Sequence, residues 1–325
     1  MKHLSILVPE GALLGNVEGP RQLFKCVNDY FASIGREPLF DIHLVGLTKE
    51  TKLNQGLYTI NPSCTVAELK KTDLILIPAM DGDLQAAVAQ NQAFIPWITA
   101  RYKEGAEVAS FCVGAFLLAS TGLLNGRKCA THWMFAQEFR KMYPDVELVE
   151  DKIITDEHGI YSSGGAFSYL NLILYLIEKY ASRDMAVVCA KIFQIDIDRS
   201  TQSPFVIFRG QKDHEDEPVK KAQEYIETNF QDKITVDHLA SILAVGRRNL
   251  ERRFKKATSN TVAEYIQRVK IEAAKASLES SRENVNEVMY KVGYTDTKAF
   301  RTIFKRITGL SPMQYREKYN KELVA

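Results

Sequence analysis

The feature that most constrains this chain is a change of pattern at Pro218. Before it, short apolar runs alternate with amphipathic stretches; after it, every segment reads as helix. The helical part also repeats itself at a separation of about 50 residues. In the first copy Thr235 caps a helix through its hydroxyl, and Val236, Leu239, Ala240 and Leu243 share one apolar face. Ala244-Val245-Gly246 then makes a tight turn in which the glycine is free to take a positive φ. The helix that follows, 247–257, buries Leu250, Phe254 and Ala257 and presents Arg247, Arg248, Asn249 and Arg252. In the second copy Val285, Val288 and Met289 lead to a turn at Gly293, and Thr295 or Asp296 caps a helix over 297–308. Phe300, Ile303, Phe304 and Ile307 are its buried stripe, while Lys298, Arg301, Lys305 and Arg306 face outward. Gly309 stops it and Ser311-Pro312 opens a last helix. Each copy is a helix–turn–helix, whose second helix enters the major groove of DNA. The helix over 262–278 between them would hold the two reading helices in successive groove turns, ~34 Å apart.

The first two-thirds predicts strands at 4–8, 42–46, 74–78 and 107–111, with a further pair near 146–149 and 152–155. Helices are expected at 20–34, 84–89, 115–119, 167–180 and 184–195. Alternation of this kind implies a parallel, doubly wound α/β sheet of flavodoxin-like type. The charge divides with the pattern. Residues 1–215 hold 21 Lys and Arg against 25 Asp and Glu, whereas residues 216–325 hold 21 against 15, so a net −4 precedes a net +6. A small basic module behind a larger acidic one is the layout of a sensor joined to a nucleic-acid binder. The polar run 209–218 is expected to be the linker, leaving domains at 1–208 and 219–325.

At 325 residues and 46% hydrophobic, the chain can bury two cores, and its composition excludes disordered and disulfide-scaffold classes. No apolar run is long enough to span a bilayer, and the first apolar stretch is too short for a signal peptide. Five scattered cysteines without CxxC spacing fit a reducing cytoplasm. None of the six histidines has another histidine or cysteine at ligand spacing, so no metal is expected. There is no phosphate-binding loop, and no cofactor is expected.

In the α/β part, 106–115 is a strand running into a helix with Cys112 at the turn. Such an elbow exposes a side chain, and the helix N-terminus would favour a thiolate. His132, beside Trp133, could face the sulfur, and cysteine with histidine can do nucleophilic chemistry once a third group orients them.

Two resemblances follow from these residues. Lys291-Val292-Gly293-Tyr294-Thr295-Asp296, Ala299-Phe300-Arg301, Phe304-Lys305-Arg306 and Gly309-Leu310-Ser311-Pro312 closely resemble the signature of AraC/XylS-type transcriptional regulators, and 247–256 looks like its first half. The chain departs at Ser259-Asn260-Thr261-Val262, where many relatives carry Gly-Asn-Thr-Pro. The elbow, Gly122-Leu123-Leu124-Asn125-Gly126-Arg127 and Thr131-His132-Trp133 resemble the PfpI-like branch of the class I glutamine-amidotransferase-like superfamily. That family pairs the elbow cysteine with a carboxylate before the first helix. The matching position here is Asn16, with Glu18 two residues on, so catalysis would need Glu18 to act from elsewhere.

A PfpI-like domain fused to an AraC-type module resembles the GlxA-like regulators, whose α/β domain is thought to bind a small metabolite and to dimerise. Their ligands include small amino-acid and quaternary-ammonium metabolites. The Ser162-Ser163-Gly164-Gly165-Ala166 step matches that group, whereas Asn171 replaces its common aspartate. A quaternary ammonium would want an aromatic cage, for which Trp133 and Tyr169 are available.

The expectation is therefore a cytoplasmic, sequence-specific transcription regulator rather than an enzyme. It should bind promoter double-stranded DNA through Arg247, Arg248, Asn249, Arg252, Thr297, Lys298, Arg301 and Lys305. A small-molecule effector should sit at Asn16, Cys112, Val113, His132, Trp133 and Gly165. A second copy of the chain and RNA polymerase are further expected partners. The alternative is a PfpI-like cysteine enzyme of hydratase, amidase or glyoxalase type with a DNA-binding tail, using Cys112, His132 and Glu18, which the regulator reading treats as vestigial. A third reading makes Cys112 a redox sensor.

Overall fold

The computed structural model describes residues 1–197 and 199–320. Its contacts divide the chain into two compact units, Met1–Gln202 and a second from Ser203 onward.

In the first unit the strands are β1 (Lys2–Leu7), β2 (Phe40–Gly46), β3 (Thr51–Leu53), β4 (Tyr58–Ile60), β5 (Cys64–Thr65), β6 (Leu74–Ile77), β7 (Glu107–Phe111), β8 (Lys128–Cys129), β9 (Glu147–Leu148), β10 (Ile154–Glu157) and β11 (Ile160–Ser163). Seven of them form one sheet in the order β10-β11-β7-β6-β1-β2-β5, parallel except for β10 at its edge. The helices are α1 (Leu14–Ser33), α2 (Leu84–Gln90), α3 (Phe94–Lys103), α4 (Ala115–Ala119), α5 (Ala136–Met142), α6 (Tyr169–Tyr180) and α7 (Arg183–Phe193).

Period-two alternation along fully buried strands builds two cores. Leu74 and Leu76 join Leu4, Ile6 and Phe111 beneath α1, α6 and α7, while Ile75 and Ile77 join Leu7, Val108 and Phe116 beneath α3 and α5. A strand buried on both faces reads as a continuous apolar run, as Leu74-Ile75-Leu76-Ile77 does. The doubly wound α/β architecture expected from the sequence is the one observed.

Several elements differ from expectation. Helix α1 begins at Leu14 and carries Pro20 inside it, because Val17 extends the apolar face upstream and the buried Asn16 is hydrogen-bonded to the Ala79 amide. Helices α3 and α5 have no counterpart in the sequence reading. The strand near 146–149 forms only β9, which pairs with β8 outside the main sheet. The partner of β10 is β11, whose Ser162 and Ser163 end a strand rather than open a turn; the turn follows at Gly164-Gly165.

The second unit holds α8 (Glu217–Thr228), α9 (Val236–Ile242), α10 (Arg247–Thr258), α11 (Val262–Ser280), α12 (Val285–Lys291), α13 (Thr297–Thr308) and α14 (Pro312–Tyr319). Helix α11 is its spine. Val262, Tyr265 and Ile266 on its first half close one core with Leu250 and Phe254, and Ile271, Ala274 and Leu278 close a second with Phe300 and Phe304. The repeat is kept in detail: Thr258 and Thr308 bond back to the carbonyls of Phe254 and Phe304 at 2.8 and 2.9 Å. Ser259 and Gly309 both end their helices in the left-handed conformation. Asp296, not Thr295, caps α13.

In the first turn the left-handed residue is Ala244 at φ 52°, while Gly246 takes an ordinary extended conformation and starts α10. The segment ahead of the expected linker also packs on this unit. Tyr319 Oη donates to the Pro204 carbonyl at 3.1 Å, Lys275 Nζ to that of Val206 at 2.6 Å, and Phe208 lies edge-on to Tyr265. Helix α8 already includes Pro218 at its start.

Candidate functional site

The order of the main sheet reverses at β1, and in open α/β sheets ligands bind outside the carboxyl ends of the strands at such a point. Four features of this chain gather there. Ala12 bridges Met80, and Asn16 Oδ1 accepts from the Ala79 amide at 3.3 Å, tying the loop after β1 to the loop after β6. The elbow after β7 comes against the same loop: a Cβ on Gly114 would stand 2.5 Å from the Pro78 carbonyl oxygen, so only glycine fits. Thr131 Oγ1 donates to the Cys112 carbonyl at 2.9 Å, bringing the 131–133 segment alongside the elbow.

Cys112 adopts φ 53°, the strained turn expected of an elbow, but it is only 6% exposed. Burial pushes its thiol up to about 11, with the Val113 amide pulling weakly the other way. The expected thiolate is therefore corrected: α4 is a five-residue helix entered through a 3-10 turn, and its end does not offset desolvation.

His132 caps the 3-10 turn Trp133–Phe135 by accepting the Met134 amide at Nδ1, 3.1 Å away, and burial lowers its pKa. It is a neutral imidazole at pH 7 with one nitrogen committed to the backbone. Glu18 is paired bidentately with Arg21 at 2.6 Å, and that bond holds its carboxyl below the ordinary range. An acid so held carries no proton to donate at pH 7. The expected cage residues are engaged separately: Tyr169 lies tilted against Phe111 and donates to the Gly15 carbonyl, while Trp133 lies against His132.

Beside this crevice the Gly164-Gly165 turn is closely fitted. A Cβ on Gly164 would meet Gln202 Nε2 at 2.4 Å, and one on Gly165, at φ 72°, would meet Ser168 Oγ at 2.8 Å. Gln202 Nε2 donates to the Thr131 carbonyl at 3.0 Å. Ser163 Oγ, Ser168 Oγ and Gln202 Oε1 are buried without a partner among the described residues. The sequence reading named Gly165 but missed Ser168 and Gln202; unpaired burial is a tertiary property that no local pattern reports.

In the second unit, Arg247, Arg248, Asn249, Arg252, Lys298, Arg301 and Lys305 are exposed and Thr297 is half-buried at the start of α13. They are not equivalent. Arg247 is paired with Asp237 at 3.0 Å and Glu251 at 3.4 Å, and Arg252 donates to Asn249 Oδ1 at 3.1 Å. No hydrogen bond or ion pair ties the side chains of Arg248, Lys298, Arg301 and Lys305 to any described residue, leaving four cationic groups directed to solvent from α10 and α13. Arg253, which the sequence reading passed over, bonds instead to Asp216 and braces α10 against α8. No described helix is long and apolar enough to cross a membrane.

The structure also joins His3 to Asp41 and His43, from which it lies too far in sequence for a ligand-spacing search to connect it. The only local signal is Asp41-Ile42-His43, which puts two ligand types on one face of a strand.

Comparison with known proteins places these features in context. Residues 31–179 match the DJ-1/PfpI family and residues 239–318 a helix-turn-helix domain family. The chain is 24% identical over 295 residues to the HTH-type transcriptional regulator GbdR of Pseudomonas aeruginosa, covering 87% of this chain and 76% of that one. It is 24% identical over 322 residues to the HTH-type transcriptional regulator CdhR of the same species, covering 96% and 90%. The crystal structure of an AraC family transcriptional regulator from Pseudomonas putida aligns with 59% of this chain and all of that one at a TM-score of 0.50 and 14% identity, a likeness of fold. The chain thus joins a segment matching the DJ-1/PfpI family to one matching a helix-turn-helix domain family, and the relatives it matches over most of its length are transcriptional regulators.

Proposed function

We propose that the first unit senses a small polar metabolite and that the second reads promoter DNA with both α10 and α13, in a cytoplasmic protein that acts as a homodimer and engages RNA polymerase. The observation that carries the DNA reading is the set of unpaired cations, Arg248, Lys298, Arg301 and Lys305, on two reading helices repeated 50 residues apart. An exposed arginine can grip guanine bidentately and a lysine can neutralise a phosphate. Arg247 contributes once DNA competes for it against its two carboxylate neighbours, and Asn249, Arg252 and Thr297 complete the contact surface.

The effector site is assigned to Asn16, Cys112, Val113, His132, Trp133 and Gly165, extended by Ser163, Ser168 and Gln202. Three buried, unpartnered polar atoms at one turn support a ligand with hydrogen-bonding groups, since each costs about 1–3 kcal/mol when unsatisfied. A protonated Cys112 and a neutral His132 are suited to contact rather than to catalysis.

Fluorescence anisotropy on DNA from the protein's own upstream region, against scrambled DNA across a salt series, tests the regulator reading. Cognate binding tighter by ~10³ with a steep salt slope is expected. Equal, weak binding to both DNAs in the presence and absence of cell metabolite extract would overturn it.

A further inference from the structure

We propose that His3, Asp41 and His43 form a binding site for a divalent transition-metal ion near the amino-terminal ends of β1 and β2, at the opposite end of the sheet from Cys112. The placement follows from register. His3 pairs directly with Asp41 across parallel strands, so their side chains share a face, and His43 lies two residues beyond Asp41 on that same face. The intervening residues, Leu4 and Ile42, turn to the other face and its core.

The donor atoms are already gathered at ligand separations. His3 Nδ1 lies 3.1 Å and His43 Nε2 2.8 Å from the same Asp41 Oδ2, and all three atoms fall within 4.8 Å of one another. A metal bonded at about 2.0–2.2 Å to each would set neighbouring donors about 3–3.5 Å apart. Without an ion, both imidazoles must donate a proton to one carboxylate oxygen. An ion takes the place of those two protons with small side-chain movements.

The local charge favours a cation. Asp41 brings one carboxylate to the two imidazoles. On the other side of β1, Asp73 Oδ2 accepts the His3 amide at 2.7 Å, which fixes the backbone that carries one ligand. The three side chains are each about one-third exposed, so an ion can enter and water can fill its remaining positions. Two imidazoles and one carboxylate select zinc, nickel, cobalt or copper over magnesium and calcium, which prefer all-oxygen sets. This site is independent of the regulator reading.

Isothermal titration of the full-length protein with Ni²⁺, followed by the absorption spectrum of the Co²⁺ form, tests the proposal. One equivalent bound, with a Co²⁺ spectrum lacking a thiolate charge-transfer band, is expected. Affinity should fall roughly tenfold or more in both His3→Ala and His43→Ala and stay unchanged in His158→Ala. Should His43→Ala misfold, His43→Gln keeps a donor for Asp41 while removing a strong ligand, and carries the same comparison. No binding, a thiolate band, or affinity equal in wild type and the triad variants would overturn the assignment.

Discussion

Arg253 holds Asp216 with two hydrogen bonds of 2.8 Å, and the same carboxylate caps α8 by accepting the Val219 amide at 3.2 Å. One side chain thus starts the first helix of the second unit and braces α10. The Arg253 bond, helped by the cap, holds the Asp216 carboxyl below its ordinary range against a smaller desolvation effect. A depressed carboxyl stabilises the fold above about pH 4, its unfolded value, and that contribution is lost as pH falls through the lower folded value. Asp216→Ala should cost about 1–2 kcal/mol at pH 7, mostly through the cap, and Asp216→Asn less, since an amide still caps. Denaturant melts from pH 2 to 7 check this: the Asn variant should lose less stability than wild type on acidification. Parallel losses would show the pair to be without net effect.

Cys112 supplies a second prediction. With its thiol pushed up to about 11 by burial, almost none is thiolate at pH 7. Iodoacetamide should label it more slowly than a free thiol in solution, and the rate should climb with pH well past 9. Mass spectrometry of tryptic peptides after timed quenching separates it from the half-exposed Cys26 and Cys64. Fast labelling at pH 6 would restore the thiolate and the enzyme reading with it.

How far the sequence carries depends on the range of the physics involved. Glu107–Phe111 was legible to the residue because an apolar strand running into an elbow is a local pattern. So were α10 and α13, where the stripes Leu250–Phe254 and Phe300–Phe304 alternate with basic faces. β11 was not, because it ends in Ser162 and Ser163, whose burial comes from neighbouring strands and from bonds such as Ala130 amide to Ser162 Oγ. Helix α3 was hidden by Pro96, which reads as a breaker until its position in the first turn is known. The unpartnered atoms of Ser168 and Gln202, and the union of His3 with Asp41 and His43, depend on register and chain reversal.

The two turns make a third prediction, because equivalent positions solve one constraint differently. Gly293 takes φ 76°, and a Cβ there would stand 2.1 Å from the Gln231 carbonyl oxygen and 2.6 Å from Lys270 Nζ. Ala244 takes φ 52° with its Cβ already accommodated. Gly293→Ala should therefore destabilise by roughly 2 kcal/mol or more, through left-handed strain of about 1 kcal/mol and displacement of backbone. It would also disturb Lys270, whose ammonium donates to the carbonyls of Asp232, Val292 and Gly293. Ala244→Gly should change stability by about 0.5 kcal/mol or less, since relief of strain is offset by backbone entropy. Thermal melts of the two variants compare the sites; equal effects would show that the clash at Gly293 relaxes freely.

The last prediction separates reading from holding on α13. Arg301 lies one turn into the helix, exposed and without a partner, where a reading helix presents side chains to base edges. Lys305 lies one turn further on the same face, where a long cationic side chain reaches a phosphate. Arg301→Ala should weaken cognate binding by about 1–3 kcal/mol, roughly five- to 150-fold, while affinity for scrambled DNA falls far less. Lys305→Ala should weaken both DNAs alike and reduce the dependence of log affinity on log salt by about one unit. Anisotropy titrations of the two variants on both DNAs at four salt concentrations give all of these quantities. An Arg301 variant that loses affinity equally on both DNAs would move that residue to the phosphate backbone and leave base reading on α13 to Thr297 and Lys298.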